Sequence, residues 1–383
     1  MRLMMVLAMT CFAVGTAQAA DYRPVSCAES KPYAGPALLP PPPLSDLAAP
    51  GPLTGSFDAV TTARVEAAAA TAMSASKARA MSVAIARPGQ GTWSAVRTAD
   101  AGNPPERFWW ASVGKMFTAV VVLQLVEEGR LSLDDPISKH VAGVPNGNAI
   151  TIEHLLDHRS GLFSANEDRQ VRARNDSRPL SLNEVLAITR RHGAMFCPGE
   201  RWRYTNTGYA LLGAIVERLE GRTYADVVQR RVLARLGPTS LRMLPPGDPA
   251  TDVAPLEIQG ADRVRVDPTA PGPAGGVAGR AEDMNRFLQA VIGSELLTAD
   301  MTRRQFSKLY PMFDAGTFYG LGVMAYAPPG TDLRVFGHSG GAPGAKATTL
   351  WSPKHRAFVS VALTGDGSAE AVANSLLRAL GTP

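Results

Sequence analysis

The chain has 383 residues, 45% of them apolar and 19% charged, which suits a globular protein with a large core and room for two structural units. Its net charge of +5 comes almost wholly from arginine, since only seven lysines occur, and the charges are scattered without a basic run or a basic helix face. A pI of 9.2 in that setting gives no ground for nucleic-acid binding, and two cysteines outside the leader without clustered histidines make no zinc site.

The first twenty residues read as a signal peptide. Arg2 gives a positive start, Leu3 to Val14 is apolar, and Ala17-Gln18-Ala19 offers small residues for cleavage near Ala19 or Ala20. Cys11 lies inside this run, but Ala8-Met9-Thr10 before it makes a poor lipoprotein signal. The expectation is a periplasmic or secreted protein. No later segment approaches eighteen uninterrupted apolar residues, so no membrane span is expected in the mature chain. Cys27 and Cys197 are the right number for one bridge in an oxidising compartment, with two unrelated thiols as the alternative.

Residues 21–55 are rich in proline, including Pro40 to Pro43, and read as an extended segment or tether. Phe57 to Ala78 reads as a helix. Met81 to Ala86 and Thr92 to Val96 form a hairpin across Pro88-Gly89-Gln90-Gly91. Phe108 to Val126 then holds Ser112 and Lys115 in an S-x-x-K arrangement and runs on as an apolar helix stopped at Gly129.

Thr151 to His158 reads as a short helix capped by Thr151. His154 and His158 stand four apart, but Leu155 occupies the place where H-E-x-x-H needs glutamate, so core or loop-anchoring histidines are expected. Helices follow at Ser181 to Arg191, Tyr209 to Leu219 and Ala281 to Ile292, with loop at 245–275. Tyr319 to Tyr326, Leu333 to Phe336, Lys346 to Trp351 and Ala357 to Leu363 read as an antiparallel meander, and Glu370 to Leu380 as a closing helix. The fold class is α/β (α+β): an antiparallel sheet from about 80–97 and 318–364, flanked by N- and C-terminal helices, with a helical part inserted over about 112–300.

Three short motifs carry chemistry. Residues three apart share a helix face, so the Lys115 amine can reach the Ser112 hydroxyl. A serine needs an adjacent base, and a lysine serves when desolvation lowers its pKa; Trp109, Trp110, Met116 and Phe117 supply an apolar wall. Ser74 and Lys77 match the same pattern in an alanine-rich segment with no chemical context. Tyr204-Thr205-Asn206 is the only Y-x-N. Its tyrosine can pass a proton to a leaving group, and its asparagine can bond both a substrate amide and the lysine. Beside Lys115 the tyrosine anion is expected to be favoured. His338-Ser339-Gly340-Gly341 ends a strand; the glycines admit a ligand's backbone, His338 is placed to bond a substrate carboxylate or carbonyl, and the Ser112 and Gly341 N–H groups are placed to form an oxyanion hole.

In this order the motifs resemble the serine β-lactamase and penicillin-recognising family. The similar branch is that of class C β-lactamases, D-alanyl-D-alanine carboxypeptidases, D-aminopeptidases and β-lactamase-like esterases. Leu133-Asp134-Asp135-Pro136, the stretch from His154 to Leu162, and Pro273-Ala274-Gly275-Gly276-Val277 add to it, and the likeness runs from about Ala59 to Leu380. The resemblance implies a hydrolase domain over 56–382 with its site in a cleft between sheet and helices. It also implies an acyl-enzyme route in which Ser112 attacks while Lys115 and Tyr204 move protons, either being the first base. Asn206, His338, Ser339, Gly340 and Gly341 are the implied substrate contacts, the partner is a small molecule or peptide, and no metal or organic cofactor is called for. One departure bears on substrate: the class C pattern has Lys-Thr-Gly where this chain has His338-Ser339-Gly340. A largely neutral imidazole holds a carboxylate less firmly than an ammonium, which favours a D-amino-acid peptide or small ester over a β-lactam. A β-lactamase, a non-catalytic penicillin sensor and an envelope protein acting through its proline-rich tail are the alternatives.

Overall fold

The computed structural model describes residues 22–48, 51–99, 103–174, 178–256 and 266–383. The expected signal peptide and its expected cleavage positions lie outside the described residues. Helix α1 (Ala59–Ser76) starts at Asp58, whose carboxylate accepts the Thr61 N–H at 2.8 Å, the usual N-cap arrangement. Strands β1 (Ala80–Arg87) and β2 (Gly91–Thr98) form the expected hairpin. Strand β3 (Phe108–Trp109) leads through a 3-10 turn at Ala111–Gly114 into α2 (Lys115–Glu127).

The helical part continues with α3 (Ile152–Leu156), α4 (Arg169–Arg172), α5 (Leu182–His192), α6 (Asn206–Glu220) and α7 (Tyr224–Arg231). Strands β4 (Arg242–Met243) and β5 (Val277–Gly279) and helices α8 (Ala281–Ile292) and α9 (Ala299–Gln305) come next. Strands β6 (Tyr310–Pro311), β7 (Thr317–Tyr319), β8 (Met324–Tyr326), β9 (Val335–Ala342), β10 (Ala345–Ser352) and β11 (Ala357–Thr364) lead to α10 (Ala369–Leu380).

The main sheet is antiparallel and eight-stranded, in the order β2-β1-β11-β10-β9-β8-β7-β6. Its early and late strands meet where β1 pairs β11, with Met81 opposite Leu363. Side chains alternate along a strand, so Met81, Val83 and Ile85 pack with Val359, Val361 and Leu363 against α1 and α10. Ala80, Ala84, Phe358 and Ala362 face the other way, into the core shared with α2 and α8. Helix α2 is apolar on every side and its first eleven residues are buried, as a helix at the centre of a core must be. A second sheet, β3-β5-β4, braces the 3-10 turn.

Several expectations are refined. The run from Tyr319 to Tyr326 is two strands separated at Gly322, whose φ of +72° suits glycine. The strand expected at Leu333 to Phe336 extends to Ala342 and carries the third motif. Helix α3 stops at Leu156, and His158 adopts φ +64°, so His154 and His158 do not share a helical face. His154 instead closes a capping box with Thr151.

The proline-rich segment is extended apart from a 3-10 turn at Leu44–Leu47, and it lies on the body at several points. The Val25 N–H donates to Ala194 O at 2.9 Å, the Leu39 N–H to Leu309 O at 3.0 Å, and the Trp351 indole to Asp46 O at 2.7 Å. Cys27 and Cys197 form a disulfide.

Candidate active site

The turn that carries Ser112 is built by close backbone packing. The Trp110 N–H donates to Val277 O at 3.0 Å, the Trp109 indole to Gly275 O at 2.7 Å, and the Trp110 indole to Gly279 O at 3.1 Å. A Cβ on Gly114 would lie 2.8 Å from Gly275 Cα, and one on Gly275 would lie 2.8 Å from Ala111 O. Only glycines allow that approach. Ala111, just before the serine, has φ +46°, a conformation that costs an L residue energy. The turn is 3-10, so Ser112 and Lys115 are eclipsed one above the other.

Lys115 is fully buried, and its Nζ lies 3.2 Å from Ser112 Oγ, 2.7 Å from Asn206 Oδ1 and 2.8 Å from Ala274 O. Burial holds its pKa well below the usual lysine value. The two carbonyl oxygens can only accept, so a neutral amine gives them its two N–H bonds. Its lone pair is then left for the serine O–H. Asn206 is the first residue of α6 and is held in turn: its N–H donates to Ser164 Oγ at 3.0 Å and its side-chain NH₂ to Asn166 Oδ1 at 3.1 Å.

Tyr204 lies beneath Lys115, with Nζ 4.8 Å from the ring centroid. Its hydroxyl is out of contact with solvent and makes no hydrogen bond of good geometry. Burial raises its pKa, and the neighbouring Ser112 hydroxyl offsets only part of that. The sequence argument that Lys115 would favour the phenolate therefore fails for this resting state. The same burial that disfavours the ammonium weakens the charge that was to act and raises the phenol's own pKa, which favours the protonated phenol.

Strand β9 brings the third motif to the turn. A Cβ on Gly340 would run into Trp110 O and lie 2.8 Å from the Ser112 nitrogen, so glycine is what lets the strand lie under the turn. Strand β8 pairs β9 only as far as Gly337. Beyond it the Ser339 N–H points away from β10, toward Met324 Sδ at 3.5 Å, and backbone direction repeats every second residue. The Gly341 N–H therefore points to the same open edge.

His338 and Ser339 stand differently from the sequence expectation. His338 is fully buried; its Nδ1–H donates to Ser339 O at 2.6 Å, and its Nε2 accepts from Tyr319 Oη at 3.0 Å. Burial, followed by the nearby Lys115, lowers its pKa to about 3. Both ring nitrogens are engaged within the protein, so the imidazole buttresses the floor of the site and offers nothing to a substrate carboxylate. The Ser339 hydroxyl points to the opposite face, accepting from Tyr326 Oη at 2.7 Å and donating to Thr348 Oγ1 at 3.0 Å.

Residues that the motif reading missed complete the site. The Ala274 carbonyl lies in a stretch singled out only as family-like text, and Tyr319 had no local signal. Asn166 sits in an irregular segment with no pattern to read. Among the described residues no group of three or more His, Cys, Asp or Glu is arranged to hold a metal, and no helix is long and apolar enough to cross a membrane.

A buried lysine touches a serine at the head of a core helix, between an antiparallel sheet and a helical part, the arrangement that the sequence motifs led to expect. The chain belongs to the beta-lactamase family, whose sequence profile matches residues 63–382. It is 29% identical over 273 residues to penicillin-binding protein 4* of Bacillus subtilis, covering 65% of this chain and 58% of that protein. The chain thus spans little more than half the length of that relative. A penicillin binding protein from Bacillus halodurans superposes with TM-score 0.69 at 26% identity, covering 82% of this chain and 99% of that one. The D-amino acid amidase from Ochrobactrum anthropi SV3 superposes with TM-score 0.71 at 23% identity over 82% of this chain and 97% of that one, a likeness of fold.

Proposed function

We propose that this protein is an exported hydrolase that cleaves an amide or ester through an acyl-enzyme on Ser112, with D-amino-acid peptides or small esters as its substrate class. The observation that carries this reading is the buried Lys115, whose two N–H bonds go to Asn206 Oδ1 and Ala274 O and whose remaining electron pair faces Ser112 Oγ 3.2 Å away. Ser112 Oγ attacks the substrate carbonyl carbon and its proton passes to Lys115. The developing oxyanion lies between the Ser112 and Gly341 N–H groups. Tyr204 gives its proton to the leaving nitrogen or oxygen, and the Lys115 ammonium, now charged, stabilises the phenolate beside it. In the second half a water proton restores Tyr204 while the hydroxide attacks the acyl carbon. The released serine alkoxide then recovers its proton from Lys115.

The amidase-like fold supports an amide substrate bearing a D-residue. The engaged His338 supports a weak hold on a β-lactam carboxylate. Export is supported by the leader-like first twenty residues and by the disulfide, which persists in oxidising compartments.

Intact-mass analysis with a fluorophosphonate, a penicillin and panels of p-nitrophenyl esters and D-amino-acid amides tests the reading beside Ser112→Ala. The variant should keep its melting temperature and lose both labelling and turnover. Unchanged turnover would remove Ser112 as the nucleophile, and fast penicillin turnover would make the protein a β-lactamase.

A further inference from the structure

The loop after α3 does more than connect elements. His158 is fully buried, and its backbone and side chain hold the residues on both sides of Tyr204. The Arg203 N–H donates to His158 O at 3.0 Å, and the Thr205 N–H donates to His158 Nδ1 at 3.3 Å. Between these two anchors the His158 ring packs on the Tyr204 ring, with centroids 4.3 Å apart and planes tilted by 40°. Thr205 is also the N-cap of α6, so the same contact sets the start of the helix that delivers Asn206 to Lys115.

Two further facts mark the side chain as used for something other than filling space. Its φ of +64° is one that glycine or asparagine adopts with less strain, yet an imidazole stands there. Because Nδ1 accepts the Thr205 N–H, the ring proton resides on Nε2, and Nε2 is buried with no hydrogen-bond partner. Placing an unsatisfied donor beside Lys115, Tyr319 and His338 makes little sense for packing alone, where an apolar ring would serve.

We propose that His158 is a positioning residue for Tyr204, clamping the backbone on both sides of the tyrosine and the face of its ring so that the hydroxyl stays over Ser112. The proposal rests on the role given to Tyr204 above. Burial, Lys115 and His338 all disfavour a charge on the ring, so it remains an acceptor through Nδ1 across the range in which the enzyme is assayed.

The test compares His158→Gly and His158→Asn with the full chain. Glycine suits the backbone conformation, so it removes the clamp without adding strain; asparagine tolerates the same φ and places Oδ1 about where Nδ1 accepts. With an ester substrate, His158→Gly should lose kcat by about a hundredfold with KM changed less than about threefold, the size expected of a misplaced proton donor. His158→Asn should recover most of that loss. The rate at which a fluorophosphonate labels Ser112 should fall in step with kcat. Wild-type kcat or labelling rate in His158→Gly overturns the clamp and leaves the hydrolase reading standing. Equal losses in the glycine and asparagine variants overturn it as well, since they would mean that only ring volume counts. No labelling of the wild-type protein overturns both readings.

Discussion

Ser112 and Lys115 differ from Ser74 and Lys77 in surroundings, not in spacing. Ser74 and Lys77 are exposed at the end of α1, in contact with solvent. Lys115 is fully buried, and its pKa is lowered by desolvation. In the proposed mechanism the working form is the neutral amine, present above its folded pKa, so kcat/KM should rise with pH through an ionisation well below 10.5 and then level. A pH profile whose acid limb has its midpoint near 10 would contradict this. Lys115→Met keeps the volume and removes the base. It should cost about a thousandfold in kcat/KM, within the range for general base catalysis, with an unchanged circular dichroism spectrum.

At the scale of elements, the site depends on three backbones passing close together: the turn at Ala111–Gly114, the stretch before β5, and β9. Glycines 114, 275 and 340 stand where these backbones touch. The Gly340→Ala variant should push β9 and the turn apart, moving the Ser112 N–H out of line with that of Gly341. We expect kcat to fall by about a hundredfold or more, comparable to losing one oxyanion donor, while binding of a product acid changes little. Full activity in this variant would show that the turn yields without consequence. Of these, Gly340 was legible as a close-approach glycine, though toward a ligand's backbone; Gly275 stood only in family-like text, and nothing local told which backbone each one meets.

Across the whole molecule, the segment from Tyr22 to about Pro52 binds the helical part at Ala194 and Cys197 and the sheet at Leu309, Trp351 and Gly89. The buried histidines make the whole assembly acid-sensitive. Burial depresses His154 to about 4 and His338 to about 3, and His158 well below 6.5. Between those values and 6.5 the unfolded chain binds protons that the folded one refuses, so stability falls as pH drops, by about 1.4 kcal/mol per pH unit for each group. Asp157 opposes this in part: burial outweighs its Arg159 partner and raises it to about 6, so the folded chain binds the extra proton between 6 and 3.8. Three histidines against one carboxyl leave a net loss. The urea midpoint should decline steadily from pH 6.5 to 5, and a flat or rising midpoint would overturn the account.

The fold class, the order of the motifs and most long helices were readable because they rest on local rules: apolar periodicity, the cap at Thr151, and turn residues between strands. The short strands β3 to β8 were mostly missed or merged, since two or three residues hold too little pattern to announce themselves. What the tertiary structure alone decided is direction and burial. It turned His338 and Ser339 into the protein's own network, kept Tyr204 protonated, brought the Ala274 carbonyl to Lys115 and set His158 around the tyrosine. Which groups meet and how much water remains between them depend on contacts far apart in the chain, and those govern hydrogen-bond partners and pKa values. Spacing along the sequence does not carry that information.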